Sequence, residues 1–341
     1  MICFTWNGFP QYAARCIGAF VANTKEKVVV VATRPQVPIE GMECFCNCTV
    51  YWVDEKEKID TVKLLGEIPS CLFSSGWSVA SFNYIAKEVK RAGGKVILQN
   101  DILFKYSLID ILKIIRFRLF IRHRYDAFFV PGEASARAMR IYGIRRQRII
   151  QGVYAADDSL FSDGDDILSR PKKMIYVGQF CERKNVLGLS EAFCAAGGPE
   201  NGWTLELYGC GPLKDALCKI NPAIKVHEFL QPKDLSNVYK NARCFALASF
   251  EEPWGVVVHE AALSGCVLLL SDRVGASEDL LTLENGVLFD PCSKKSMVSA
   301  MQKVFRMDDR DLELAHDSSI QVAKKINKSK FIESIDFLLK I

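Results

Sequence analysis

Residues 244–271 read CFALASFEEPWGVVVHEAALSGCVLLLS. An apolar run, a polar loop holding Pro253 and Gly255, a helical segment VVVHEAALSG and a second apolar run follow in that order. Short apolar runs on either side of a helical segment are the signature of a strand–helix–strand unit with parallel strands. The same alternation extends outward in both directions. The second half of the chain offers strands at 173–177, 204–208, 225–229, 243–248, 267–271 and 287–289. The first half offers 2–6, 28–33, 71–74, 95–99, 127–130 and 148–150, with helices beginning near Gln11, Trp77, Ser107 and Ser135.

Between residues 152 and 173 the periodicity lapses into a stretch rich in Asp and Ser, which reads as a linker. The predicted fold class is therefore α/β, with two Rossmann-like doubly wound domains facing a central cleft and ligands at the carboxyl ends of the strands. The expected divisions are 1–160, 161–320 and a terminal segment 321–341. That segment is helical in pattern from about 322, has no strand after it, and is expected to pack back across the first domain.

A chain of 341 residues with 49% hydrophobic content buries a substantial core, and two domains fit that length. The balance of 44 basic against 40 acidic residues is too even to argue for a nucleic-acid partner, and no zinc, RRM or helix-turn-helix signature appears. The thirteen cysteines are scattered, and Cys194, Cys244 and Cys266 lie within apolar runs, where a thiol acts as a small hydrophobe. The opening MICFTWNGFPQYAARCIG lacks a basic region ahead of a long apolar one, so a reduced, cytoplasmic chain is expected. Cys44, Cys46 and Cys48 alternate, which places them on one face of a strand rather than in the CxxC knuckles usual for zinc. No run of about 18 apolar residues predicts a membrane-spanning helix.

The loops carry the chemistry. In 249–260, SFEEPWGVVVHE, Glu252 and Glu260 flank a helix start, with Pro253 expected as an early helical residue. Free N–H groups near Trp254 and Gly255, at the positive end of the helix dipole, suit sugar hydroxyls or phosphate oxygens. Glu260 is placed to accept from a ribose diol and Glu252 to sit near the sugar. The alternative is that Glu251 and Glu252 merely complement the dipole while Glu260 is solvated. His259 either touches a nucleotide or packs against a neighbour, the second being the commoner use. In 176–185, YVGQFCERKN, a glycine turn precedes the adjacent cations Arg183 and Lys184. At the head of a helix such a pair neutralises a diphosphate without a metal, the alternative being a solvated basic pair. Further loops are 208–212, YGCGP, with Gly209; 227–230, HEFL; and, in the first half, 7–11, NGFPQ, 74–77, SSGW, and Asn100-Asp101.

From about residue 174 to 291 the chain resembles the retaining glycosyltransferases of family 4, which have the GT-B fold. Their E-P-F-G stretch and second glutamate match Glu252-Pro253-Trp254-Gly255 and Glu260, with Trp254 where Phe is usual. Their G-R-L-x-x-x-K-G loop is matched by Gly178 through Lys184. Lys184 falls on the lysine that holds the diphosphate, while Gln179 replaces an arginine whose role passes to Arg183.

The resemblance further implies backbone contacts to the base at Phe229 and Leu230, Phe229 being otherwise read as core. It implies donor contacts at Gly178, Gly209, Trp254, Gly255 and Val256, and a glycine-bearing first loop, here with Gly8, facing the diphosphate. Asp101 stands near a position where many relatives have histidine. It is the candidate for contact with sugar or acceptor, against a turn or N-cap reading. The implied activity is sugar transfer from a nucleoside-diphosphate sugar to a glycan or lipid-linked acceptor with retention, using no further cofactor and no metal. The competing readings are a sugar-nucleotide epimerase of the same fold and a non-catalytic sugar-nucleotide-binding module.

Residues 104–124, FKYSLIDILKIIRFRLFIRHR, combine apolar residues at helical spacing with Lys105, Lys113, Arg116, Arg118, Arg122 and Arg124. Such a segment either lies on an anionic membrane or is a core helix with a solvated basic face. Since many family 4 enzymes use lipid-linked acceptors in polysaccharide or lipopolysaccharide assembly, peripheral contact with the inner face of a membrane is expected.

Overall fold

The computed structural model describes residues 1–104, 108–162 and 166–341. Lys105 of the basic segment and the helix start near Ser107 lie outside the described residues, as do residues 163–165 of the linker. The chain divides into two compact units, Met1–Ala155 with Lys328–Ile341, and Ala156–Asn327.

The first unit has seven parallel strands: β1 (Ile2–Trp6), β2 (Val28–Ala32), β3 (Thr49–Trp52), β4 (Cys71–Ser75), β5 (Lys95–Gln99), β6 (Ala127–Val130) and β7 (Ile149–Gln151). They lie in the order β3-β2-β1-β4-β5-β6-β7. β1 and β2 are buried along their whole length, as apolar runs in a parallel sheet covered on both faces must be. The helices are α1 (Gln11–Asn23), α2 (Met42–Cys46), α3 (Thr61–Leu65), α4 (Ala80–Arg91), α5 (Leu108–Arg116) and α6 (Glu133–Ile141). α5 continues as a π-helical turn, Phe117–Ile121, and a 3₁₀ turn, Arg122–Arg124.

The second unit opens with α7 (Asp158–Phe161) and has six parallel strands: β8 (Lys173–Val177), β9 (Thr204–Tyr208), β10 (Ile224–His227), β11 (Cys244–Leu247), β12 (Val267–Ser271) and β13 (Gly286–Phe289). Their order is β10-β9-β8-β11-β12-β13. Around them run α8 (Val186–Ala195), α9 (Lys214–Leu217), α10 (Pro232–Lys240), α11 (Val256–Leu263), α12 (Ser277–Leu280), α13 (Lys294–Phe305) and α14 (Asp309–Ala323). A final helix, α15 (Lys328–Lys340), belongs to the first unit, where it packs on α1 and β7 and Lys95 donates to the Leu339 carbonyl at 2.8 Å. Both units are Rossmann-like, and each sheet has one switch point, between β1 and β4 and between β8 and β11.

Four local expectations are corrected. Cys44 and Cys46 sit in the short helix α2, not a strand, and Asn47 ends it in the left-handed region at φ 50°. The strand of that region is β3, a half-exposed edge strand. Pro253 precedes α11 instead of opening it, because Gly255 takes the N-cap position at φ 92°. β10 stops at His227, so Phe229 and Leu230 occupy a loop and are half-buried, and Phe229 is not a core residue. The helical pattern from 322 to 341 is two helices, since α14 ends at Ala323 and α15 begins at Lys328.

Candidate functional site

Ligands of doubly wound sheets gather where the strand order reverses, outside the carboxyl ends of the two diverging strands. In the second unit those strands are β8 and β11, and they release the two loops singled out by sequence, 178–185 and 248–255. Backbone hydrogen bonds stitch the neighbouring loops into one surface. The Gly178 N–H donates to the Tyr208 carbonyl at 3.0 Å, Gly209 to His227 at 3.3 Å and Phe180 to Cys210 at 2.8 Å. Gly209 is required by this stitching: at φ 153°, a Cβ there would stand 1.9 Å from the Gly178 carbonyl oxygen.

The two loops meet through charge. Lys184 donates to Glu252 in a short ion pair, and both residues are only 9% exposed. Arg183 reaches the same carboxylate oxygen at 3.9 Å while donating to the Glu251 carbonyl at 2.7 Å. Ser249 donates to it as well, at 3.4 Å. Backbone bonds fix the carboxylate from behind: the Glu252 N–H donates to the Arg273 carbonyl at 3.1 Å, and Gly275 to the Glu252 carbonyl at 2.9 Å. A Cβ on Gly255 would lie 3.0 Å from Glu252 Cγ, so the left-handed glycine both opens α11 and leaves room for this side chain. Val256 is the first helical residue, and the first turn has no side-chain cap, which leaves N–H groups of a helix start facing outward. The cluster thus presents two cations, one carboxylate and a helix N-terminus at the switch point, a charge distribution suited to a phosphate-bearing ligand beside a polyol.

Glu260 sits one turn further along α11 and is buried. Burial raises its carboxyl to about 7, against the opposing pull of the Tyr239 hydroxyl, which donates to it at 3.0 Å. The adjacent His259 is wholly buried and structural. Its Nδ1 accepts from the Ala156 N–H at 3.0 Å, and its Nε2 faces the Ala323 carbonyl at 3.0 Å, which fixes the neutral Nε2–H tautomer. Burial lowers it to about 4. Trp254 is 1% exposed and its indole N–H points to Asp279 at 3.3 Å. Its side chain is therefore core, and only its backbone is left to meet a ligand.

In the first unit the switch point lies between β1 and β4. Gly8 follows β1 at φ 63°, and its N–H donates to the Thr33 hydroxyl at 2.8 Å. Asn7 accepts from the same hydroxyl at 2.6 Å and donates its N–H to Ser75 at 3.0 Å. Asp101, beyond β5, accepts from the Tyr154 hydroxyl at 3.1 Å. The structure therefore joins Arg183, Lys184, Glu252 and Gly255, and separately Gly178 with Gly209. It places Gly8 and Asp101 in the other unit. Sequence reading gave no role to Ser249 or Tyr239. Ser249 lay inside the quoted motif, but Tyr239, on α10, had no local signal at all.

Residues 162–325 match the family described as glycosyl transferases group 1. No curated protein matches the sequence. Solved structures do. HepE from Anabaena, in complex with UDP and glucose, is 13% identical over 100% of both chains with a TM-score of 0.75. Sucrose-phosphate synthase from Thermosynechococcus elongatus is 15% identical over 100% of this chain and 98% of its own, with a TM-score of 0.73. The lipopolysaccharide outer core galactosyltransferase WaaB, in its apo form, is 14% identical over 100% of both chains with a TM-score of 0.71. Residues 162–325 are therefore similar to the glycosyl transferases group 1 family, which supports sugar transfer, within a chain whose fold is that of the GT-B structures it matches.

Proposed function

We propose that the chain transfers a sugar from a nucleoside-diphosphate sugar to a glycan or lipid-linked acceptor with retention of anomeric configuration, at the inner face of a membrane. The observation that carries this reading is the Arg183–Lys184–Glu252 cluster at the switch point of the second unit. In the proposed mechanism the two cations and the N-terminus of α11 bind the diphosphate, and they hold it more tightly as negative charge grows on the departing oxygen. Glu252 orients the ammonium of Lys184 and positions the sugar. Glu260 accepts from the ribose diol, with the backbone at Phe229 and Leu230 against the base and Gly178, Gly209 and Val256 lining the donor. The leaving phosphate takes the acceptor proton on the face it vacates, which accounts for retention without a protein nucleophile. Asp101 and the Gly8 loop are assigned to the acceptor side. Since the cations supply the charge, no metal takes part, and a chelator should leave the rate unchanged.

UDP is bound in the HepE complex, which makes UDP-sugars the first donors to try. The test is release of nucleoside diphosphate from UDP-, GDP- and ADP-sugars with membrane extract as acceptor, and the anomeric configuration of the product by NMR. Lys184→Ala should lower the rate by a factor on the order of a hundred or more, the cost of one transition-state donor. A loss below tenfold overturns the electrostatic role. Conversion of donor to an isomer with no diphosphate released would replace transfer by epimerisation.

A further inference from the structure

The segment 108–124 does not behave as a core helix with a solvated basic face. Phe117 and Ile121 are indeed buried in the first unit's core. Yet the opposite side of α5 and its π-helical extension is also apolar: Ile111 is 48% exposed, Leu112 67%, Ile115 49%, Leu119 61% and Phe120 65%. An exposed apolar ridge of this density is uncommon on a soluble surface that meets only water. Residues 111–124 include no acidic residue, and Arg116, Arg122 and Arg124 punctuate the ridge, while Lys113 pairs with Asp110 at 3.1 Å. Arg118 is excluded from this set. Its guanidinium donates to the Ile141 carbonyl at 2.8 Å and the Tyr142 carbonyl at 3.2 Å, capping the end of α6.

The 3₁₀ turn that follows the ridge in the chain, Arg122–Arg124, forms one wall of a cavity of about 660 Å³ whose other wall is α4. Its lining includes Tyr84, Lys87, Lys90, Arg91, His123 and Arg124, and no carboxylate. Lys90 pairs with Asp126 at 2.7 Å at the edge, leaving the other cations to set the sign of the cavity. We propose that this ridge and cavity form one docking surface for an anionic phospholipid membrane: the five apolar side chains enter the interfacial region, and the cavity receives a phosphate headgroup. Apolar side chains for the acyl boundary beside cations for the headgroups are what an interfacial helix requires. A protein partner would have to bring both an apolar patch and a set of carboxylates to the same place, whereas an anionic bilayer offers both everywhere. The inference extends the lipid-linked acceptor reading, but docking needs neither donor nor acceptor, so the two can fail separately.

The experiment is co-sedimentation of the full chain with vesicles of phosphatidylcholine alone or mixed with phosphatidylglycerol, without nucleotide sugar. The chain should sediment with the mixed vesicles and not with the neutral ones. Lys87→Ala with Arg91→Ala should weaken binding about 30-fold, at roughly fivefold per near-surface cation. Leu112→Ser with Leu119→Ser and Phe120→Ser should abolish it. All five positions are outside the donor site, so slow diphosphate release measured without membranes should be unchanged, which also reports on folding. Failure of the parent chain to bind mixed vesicles at low salt overturns the proposal, as does binding that both variant sets retain. A dimer that the serine variant dissociates, with no vesicle binding, would make the ridge a contact between copies and end the membrane reading.

Discussion

His259 and Glu260 are neighbours on α11, both buried, and burial drives their ionisation in opposite senses. Glu260 rises from 4.5 to about 7, so its folded form holds a proton that the unfolded chain has already lost. Its contribution is fully present below pH 4.5 and is lost as pH rises toward 7, at a total of about 3 kcal/mol for the 2.5-unit shift. His259 falls from 6.5 to about 4, so the unfolded chain takes up a proton that the fold refuses. Its contribution is fully present above pH 6.5 and is lost as pH falls toward 4, again at about 3 kcal/mol. In the parent protein the two slopes nearly cancel. Between pH 5 and pH 8, Glu260 costs roughly 2–3 kcal/mol while His259 restores roughly 2 kcal/mol.

Removing either group exposes the other. Glu260→Gln keeps an acceptor for the Tyr239 hydroxyl and removes only the titration. Relative to the parent, its stability should rise by roughly 2–3 kcal/mol more at pH 8 than at pH 5. His259→Gln, which retains an acceptor for Ala156 and a donor for Ala323, should show the reverse, losing about 2 kcal/mol more at pH 8 than at pH 5. The assay is urea unfolding at both pH values, with hydrogen exchange of α11 amides reporting the second unit alone. Taking differences from the parent cancels every other titrating group. A Glu260→Gln difference that is constant within about 0.5 kcal/mol would refute the claim that this carboxyl is held out of water at a cost. If it holds, the residue assigned to the ribose diol destabilises its own helix at neutral pH, which is the mark of a group kept for binding.

Tyr239→Phe should destabilise by about 1.5–3 kcal/mol at pH 8, where the hydroxyl donates to a charged carboxylate, and by less at pH 5; equal losses at both values would sink the assignment of that bond. Gly255→Ala should cost about 1–2 kcal/mol, since a left-handed backbone must be held against a Cβ. It should also reduce diphosphate release beyond that loss, by pressing on Glu252, and a variant with parental stability and rate would show that the turn tolerates both.

Most of the strands and the identity of the two loops were legible because both are written locally: unbroken apolar runs such as VVVV in β2 cannot be solvated, and Pro253 and Gly255 mark where the chain must turn. What escaped the sequence was long-range. The pairing of Lys184 with Glu252 joins positions 68 apart and depends on β8 and β11 becoming neighbours, which no local pattern states. Cys44 and Cys46 were misread because alternation over five residues fits a strand and a short helix equally, and the left-handed residues at Gly41 and Asn47 decided it. Trp254 shows the division within one residue. The loop reading concerned its backbone N–H, while its indole, buried against His259 and tied to Asp279, holds Gly255 and Glu252 in register. The motif is thus divided between residues that face the ligand and residues that fix the turn, and its sequence alone does not say which is which.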